Sequence, residues 1–118
     1  MKAVLIIAII AGLLAFTAKD KLTGRWETTP DENGVITGIR FKSGNTFEMH
    51  VNKKPYASGT YTLDDNVISF VDNGCIDTKG IYKIIFFSNS DSMRWEPIQD
   101  SCTGRRVGIP KLVLGRVK

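Results

Sequence analysis

The chain has 118 residues, 42% of them hydrophobic and 24% charged. That balance excludes a disordered tail and leaves room for one packed domain, not two. Its formal charge is +4, and apart from Lys53-Lys54 and Arg105-Arg106 the basic residues are scattered. They read as a solvated surface, not as the one-sided patch of a nucleic-acid binder.

The N-terminus has the pattern of an export signal. Met1-Lys2 supplies a positive start, Ala3 to Phe16 carries no charge, and Lys19-Asp20-Lys21 ends the apolar run. The run is short for a bilayer-spanning helix. Cleavage after Ala18 fits, with bulky Phe16 as the departure from the small-residue rule; cleavage near Ala15 and an uncleaved anchor are the other readings. The expectation is a signal peptide over 1–18, a mature domain over 19–118, secretion or periplasmic location in a bacterium, and no membrane span after cleavage. Cys75 and Cys102 both fall in the mature part. In an oxidising compartment such a pair predicts one disulfide. Closing a loop of that length stabilises by roughly 3 to 4 kcal/mol in the chain-entropy treatment. A metal site would need more ligands, and the sole histidine, His50, is distant in sequence.

Beyond the leader, alternation with a period of two dominates. The first strand is read over Leu22 to Thr28, followed by the turn cluster Thr29 to Gly34. In Val35 to Lys42, residues Val35, Thr37, Ile39 and Phe41 share a face. Ser43-Gly44-Asn45 turns the chain into Thr46 to Asn52, where Phe47, Met49 and Val51 alternate with Glu48, His50 and Asn52. Lys53-Lys54-Pro55 reads as a break before Ala57 to Leu63. Val67 to Val71 and Lys79 to Phe87 follow, the latter apolar on both faces at Ile84 to Phe87. Met93 to Ile98 comes next, with Pro97 marking an edge or bulge. Asp100 to Pro110 reads as an irregular loop and Lys111 to Val117 as the last strand. Eight strands with short links predict an all-β fold, an antiparallel up-and-down barrel that removes its own edges. Gly59-Thr-Tyr61-Thr-Leu63 is echoed by Gly80-Ile-Tyr82-Lys-Ile84. In each, the glycine allows a bend at a barrel corner.

Gly24-Arg25-Trp26 on the first strand, after an export leader and before a meander, resembles the opening motif of the lipocalin-like (calycin) superfamily. The downstream run Gly59-x-Tyr61-x-Leu63, Asn66-x-Ile68-x-Phe70, Cys75, Gly80-x-Tyr82 and Asp100-Ser-Cys102-x-Gly104-Arg105 is similar to small secreted bacterial proteins of that kind. The resemblance implies that Trp26 closes the barrel floor and that a basic residue near the last strand lies across its indole. Arg116, Arg105 and Arg106 are the candidates, with Arg116 on the right strand. Gly74-Cys75-x4-Gly80-x-Tyr82 also resembles the META-type domain of bacterial envelope and heat-shock proteins. That family carries a helix after its second cysteine, where a loop is read here, so it ranks second.

No catalytic constellation stands out, and the reading is not of an enzyme. His50 reads as an exposed residue on a polar strand face. Asp72, Asn73 and Asp77 fall in a turn and are too few for calcium, so no cofactor is expected. Phe47, Met49, Tyr61, Phe70, Tyr82 and Trp95 would contact a small hydrophobic ligand if the barrel holds one; the alternative is that they simply fill it. In that case the domain would act through its surface, with Ile81, Ile85 and Phe87 as a strip for an envelope protein partner.

Overall fold

A computed structural model describes residues 18–118. The leader expected over 1–18 lies outside them except for Ala18. The order is α1 (Ala18–Leu22), β1 (Gly24–Glu27), β2 (Thr37–Lys42), β3 (Thr46–Val51), β4 (Lys54–Asp64), β5 (Val67–Asp72), β6 (Gly80–Phe87) and β7 (Ser92–Gln99). Then come α2 (Thr103–Gly108), a 3-10 turn (Ile109–Lys111) and β8 (Leu114–Arg116). The strands pair in sequence order, all antiparallel, and close into a barrel through β8 and β1. The predicted all-β, eight-stranded up-and-down barrel is therefore the observed fold. Among the described residues no helix is long and apolar enough to cross a membrane.

Several boundaries differ from the sequence reading, each for a local reason. Leu22 ends α1 instead of opening β1, and its carbonyl accepts the Trp26 indole N–H at 2.8 Å. β2 starts at Thr37, not Val35. The Val35 N–H is taken by the Asp31 carboxylate and the Ile36 N–H by the Asn52 side chain, as polar turn residues compete with ladder bonds. The expected break at Lys53-Lys54-Pro55 is instead a tight turn. Asn52 and Lys53 take φ of 50° and 68°, and β4 runs on through Pro55. Met49 pairs with Ala57 and His50 with Pro55, so Tyr56 is the extra residue of a bulge. The bulge accommodates the proline's missing donor. The bulge anticipated near Pro97 is present too: Ile81 pairs with Gln99 and Tyr82 with Pro97, leaving Ile98 unpaired.

The largest correction concerns Asp100 to Pro110, read as an irregular loop. It holds α2 and the 3-10 turn, and β8 shrinks to Leu114–Arg116. The Asp100 carboxylate accepts the Cys102 N–H at 3.0 Å and so turns the chain into the helix. Pro110 sits in the first turn of the 3-10 segment, where its missing donor is harmless. A helix of six residues is too short to leave a periodic signature.

The barrel has a floor and a mouth. At the floor Trp26, Leu22 and Met93 are fully buried. The Arg116 guanidinium lies 4.4 Å from the Trp26 ring and donates to the carbonyls of Thr23, Lys21 and Ser90. Arg116, not Arg105 or Arg106, is thus the cation over the indole. Above the floor, aromatic rings pack inside the tube. Phe41 meets Tyr61 edge-on at 5.4 Å and Phe47 meets Phe70 edge-on at 5.7 Å. Gly59 is required at its corner, because a Cβ there would stand 1.9 Å from the Val71 carbonyl oxygen.

Trp26→Ala is expected to lower unfolding free energy by roughly 3 to 5 kcal/mol, as large-to-small changes in cores do. Urea unfolding checks this, and a loss below about 1 kcal/mol would contradict the floor role. Among the described residues the buried Tyr61 hydroxyl has no hydrogen-bond partner. Removing an unsatisfied buried polar group relieves a penalty of about 1 to 3 kcal/mol. Tyr61→Phe is therefore expected to raise the unfolding midpoint in the same assay, and a fall would show that the hydroxyl has a partner.

Candidate functional site

The alternation of β2, β3 and β4 turns Ile39, Phe41, Phe47, Met49 and Ala57 inward, and Ile68, Phe70 and Trp95 face them from β5 and β7. Some of these rings touch, Phe47 with Phe70 and Phe70 with Trp95, yet space remains beside them. They enclose a cavity of about 540 Å³ with a mainly apolar wall. Ile109 and Leu112, from the segment between α2 and β8, pack against the core and complete one side. Tyr56, pushed out by its bulge and 68% exposed, stands at the rim.

The roof is held covalently and electrostatically. Cys75 and Cys102 form the predicted disulfide, with Cα atoms 6.4 Å apart. It joins the β5–β6 loop to the start of α2, and both cysteines line the cavity. Beside it, Arg105 enters from α2. Its Nε and Nη2 donate to Asp100 Oδ2 and Oδ1 at 2.7 and 2.8 Å, and Nη2 also reaches the Thr78 carbonyl at 2.8 Å. Nη1 donates to Asp72 Oδ2 at 3.3 Å, and the guanidinium lies 4.8 Å from the Phe70 ring. Asp100 accepts in addition the Tyr82 hydroxyl at 2.5 Å. Asp72 Oδ1 accepts the N–H groups of Gly74 and Cys75, shaping the loop that carries the bridge. A Cβ at Gly80 would press on Asp100, Tyr82 and Arg105 at 3.1 to 3.2 Å, so this strand start is glycine because the cluster crowds it.

Of the six side chains expected to contact a ligand, Phe47, Met49, Phe70 and Trp95 line the cavity. Tyr61 and Tyr82 lie instead in the packed interior, Tyr82 with its hydroxyl spent on Asp100. Ile39 and Phe41 share the inward face of a strand whose pattern was legible. Arg105 and Ile109 sit on the unforeseen helical segment, so no alternation marked them, and Leu112 follows it in a stretch expected to be strand. Asp72 turns out to serve a backbone turn and an ion pair. Among the described residues no group of three or more His, Cys, Asp or Glu could hold a metal. His50 is half-buried beside Glu48, not exposed. On the outer wall Ile81 and Ile85 are half-buried and Phe87 is 40% exposed. No family model matches the chain, and neither a curated protein nor a solved structure does.

The buried cluster makes stability depend on pH. Burial opposes the Asp100 charge, but hydrogen bonds from Arg105, Tyr82 and the Cys102 N–H outweigh it and hold the carboxyl below its ordinary value. A depressed carboxyl stabilises the fold above its unfolded pKa, and that contribution is lost as pH falls through the folded value. Burial, reinforced by Asp100, pushes the Tyr82 phenol well above its ordinary value of 10.0. That contribution is complete below the unfolded phenol pKa and is lost as pH rises beyond it. Asp100→Asn leaves Arg105 buried against one carboxylate, and is expected to cost roughly 3 to 5 kcal/mol at neutral pH. Urea unfolding from acid to neutral pH checks this: the wild type should weaken below about pH 4, and the variant should lose that acid limb.

Proposed function

We propose that this domain is an extracytoplasmic, lipocalin-like binding module that holds a small apolar molecule at the barrel mouth. The observation that carries the reading is the cavity of about 540 Å³ above a filled floor. Its size falls within the range of small-molecule sites, and such sites are mostly apolar with a few placed polar groups. Phe47, Met49, Phe70 and Trp95 would form the contact wall, joined by Ile39, Phe41 and Ala57. A barrel serving only as an outward surface would have no need of unfilled space at native packing density. Binding does not call for catalysis, and His50 stands beside Glu48 on β3, not among the lining residues.

The disulfide and the apolar leader both favour a location outside the cytoplasm. Kinship with lipocalin-like proteins rests on the order of the motifs from Gly24-x-Trp26 to Arg105, together with the closed barrel. The helix after Cys102 strengthens the META-type resemblance, which implies an envelope protein and leaves the location unchanged.

An environment-sensitive apolar dye is expected to bind with one-to-one stoichiometry. Ala57→Phe, which projects a ring into the cavity, is expected to weaken dye binding at least about tenfold while near-ultraviolet circular dichroism stays native. A dye that binds the folded variant as well as the wild type would place binding elsewhere. Absence of binding to the wild type would overturn the reading.

A further inference from the structure

The cavity's mainly apolar wall is interrupted at the roof, where Asp72 and Arg105 line it with side chains only 10% and 8% exposed. A guanidinium carries five N–H donors. Protein acceptors use Nε–H, both Nη2 hydrogens and one hydrogen of Nη1, which leaves one N–H on Nη1. Among the described residues Asp72 Oδ2 accepts only from that same Nη1, at 3.3 Å, so it retains lone-pair capacity. A spare donor and a spare acceptor therefore stand side by side on the cavity wall. Two carboxylates, Asp72 and Asp100, pair with Arg105, and the Arg106 guanidinium donates to the Asp100 carbonyl at 3.2 Å.

We propose that the bound molecule is an aliphatic alcohol, its hydroxyl seated between Arg105 Nη1 and Asp72 Oδ2 and its hydrocarbon along Phe70 and Trp95. This rests on the binding reading above and gives the ligand its polar end. A hydroxyl is the group that uses both partners, accepting from Nη1–H and donating to Oδ2. A carboxylate could accept from Nη1–H, but it brings a further negative charge against Asp72 and Asp100 and has no proton for Oδ2. An ammonium could donate to Oδ2, but it leaves Nη1–H unused and sets a cation beside the guanidinium. Polar pairing in a buried site discriminates strongly, because a wrong group leaves buried partners unsatisfied.

Decanol, decylamine and decanoate share one chain length and differ in head group. Native mass spectrometry and tryptophan fluorescence on the folded protein would rank them. Decanol is expected to bind at least about tenfold more tightly than decanoate, and more tightly than decylamine. Asp72→Asn retains an oxygen for the Gly74 and Cys75 N–H groups while removing the charge, and is expected to narrow the gap between decanol and decanoate. If decanoate binds as well as decanol, or decylamine binds better, the hydroxyl assignment is overturned; an unchanged gap in the folded Asp72→Asn protein overturns the role of Asp72. If the apolar dye binds but none of the three does, the assignment falls and the cavity remains a binding site. If the dye fails as well, both fall together.

Discussion

Barrel closure is the constraint on which the rest of the molecule depends. β8 is three residues long and meets β1 through two register pairs, Trp26 with Arg116 and Glu27 with Gly115. So short a ladder leaves little backbone hydrogen bonding to hold the seam, and side chains supply what it lacks. Arg116, itself on β8, places its cation on the face of Trp26, the residue opposite, and ties the carbonyls of Lys21, Thr23 and Ser90. One arginine thus joins α1, the start of β1, the β6–β7 turn and the last strand. Closure in turn abolishes the two edges that an open meander would expose.

The opposite end is built on a different principle. The floor is closed by packing around an indole, whereas the mouth is bordered by a disulfide and a buried ion cluster. Neither device fills space as apolar side chains do. Asp100 receives donors from Tyr82, Arg105 and the Cys102 backbone, so its charge is fully partnered. Arg105 carries that partnering across to Asp72 and the loop that holds Cys75. The bridge and the ion cluster thus border an incompletely filled tube.

Much of this was legible in the chain. Alternation marked the inward faces of β2 and β3, the paired cysteines marked the bridge, and Gly24-x-Trp26 marked the floor. The signals that failed were those of segments too short to repeat. Six residues of α2 make fewer than two turns, so no hydrophobic stripe separates them from a loop. Bulges are equally silent. Pro55 looked like a terminator because a proline denies the ladder a donor, yet one extra residue, Tyr56, lets the strand continue.

Period-two patterning and turn chemistry by themselves determined the strand count, the antiparallel order and the apolar interior, because each depends on neighbours in sequence. Only the tertiary structure decided which arginine covers Trp26, which aromatics line space and which merely fill it, and that Arg105 belongs to the mouth. Those outcomes turn on residues far apart in the chain being brought to within hydrogen-bond or ring-contact distance. Arg105 and Asp72 are 33 positions apart and Arg116 and Thr23 are 93 apart. A contact of that kind is set by the register and closure of the whole barrel, and no local pattern encodes it.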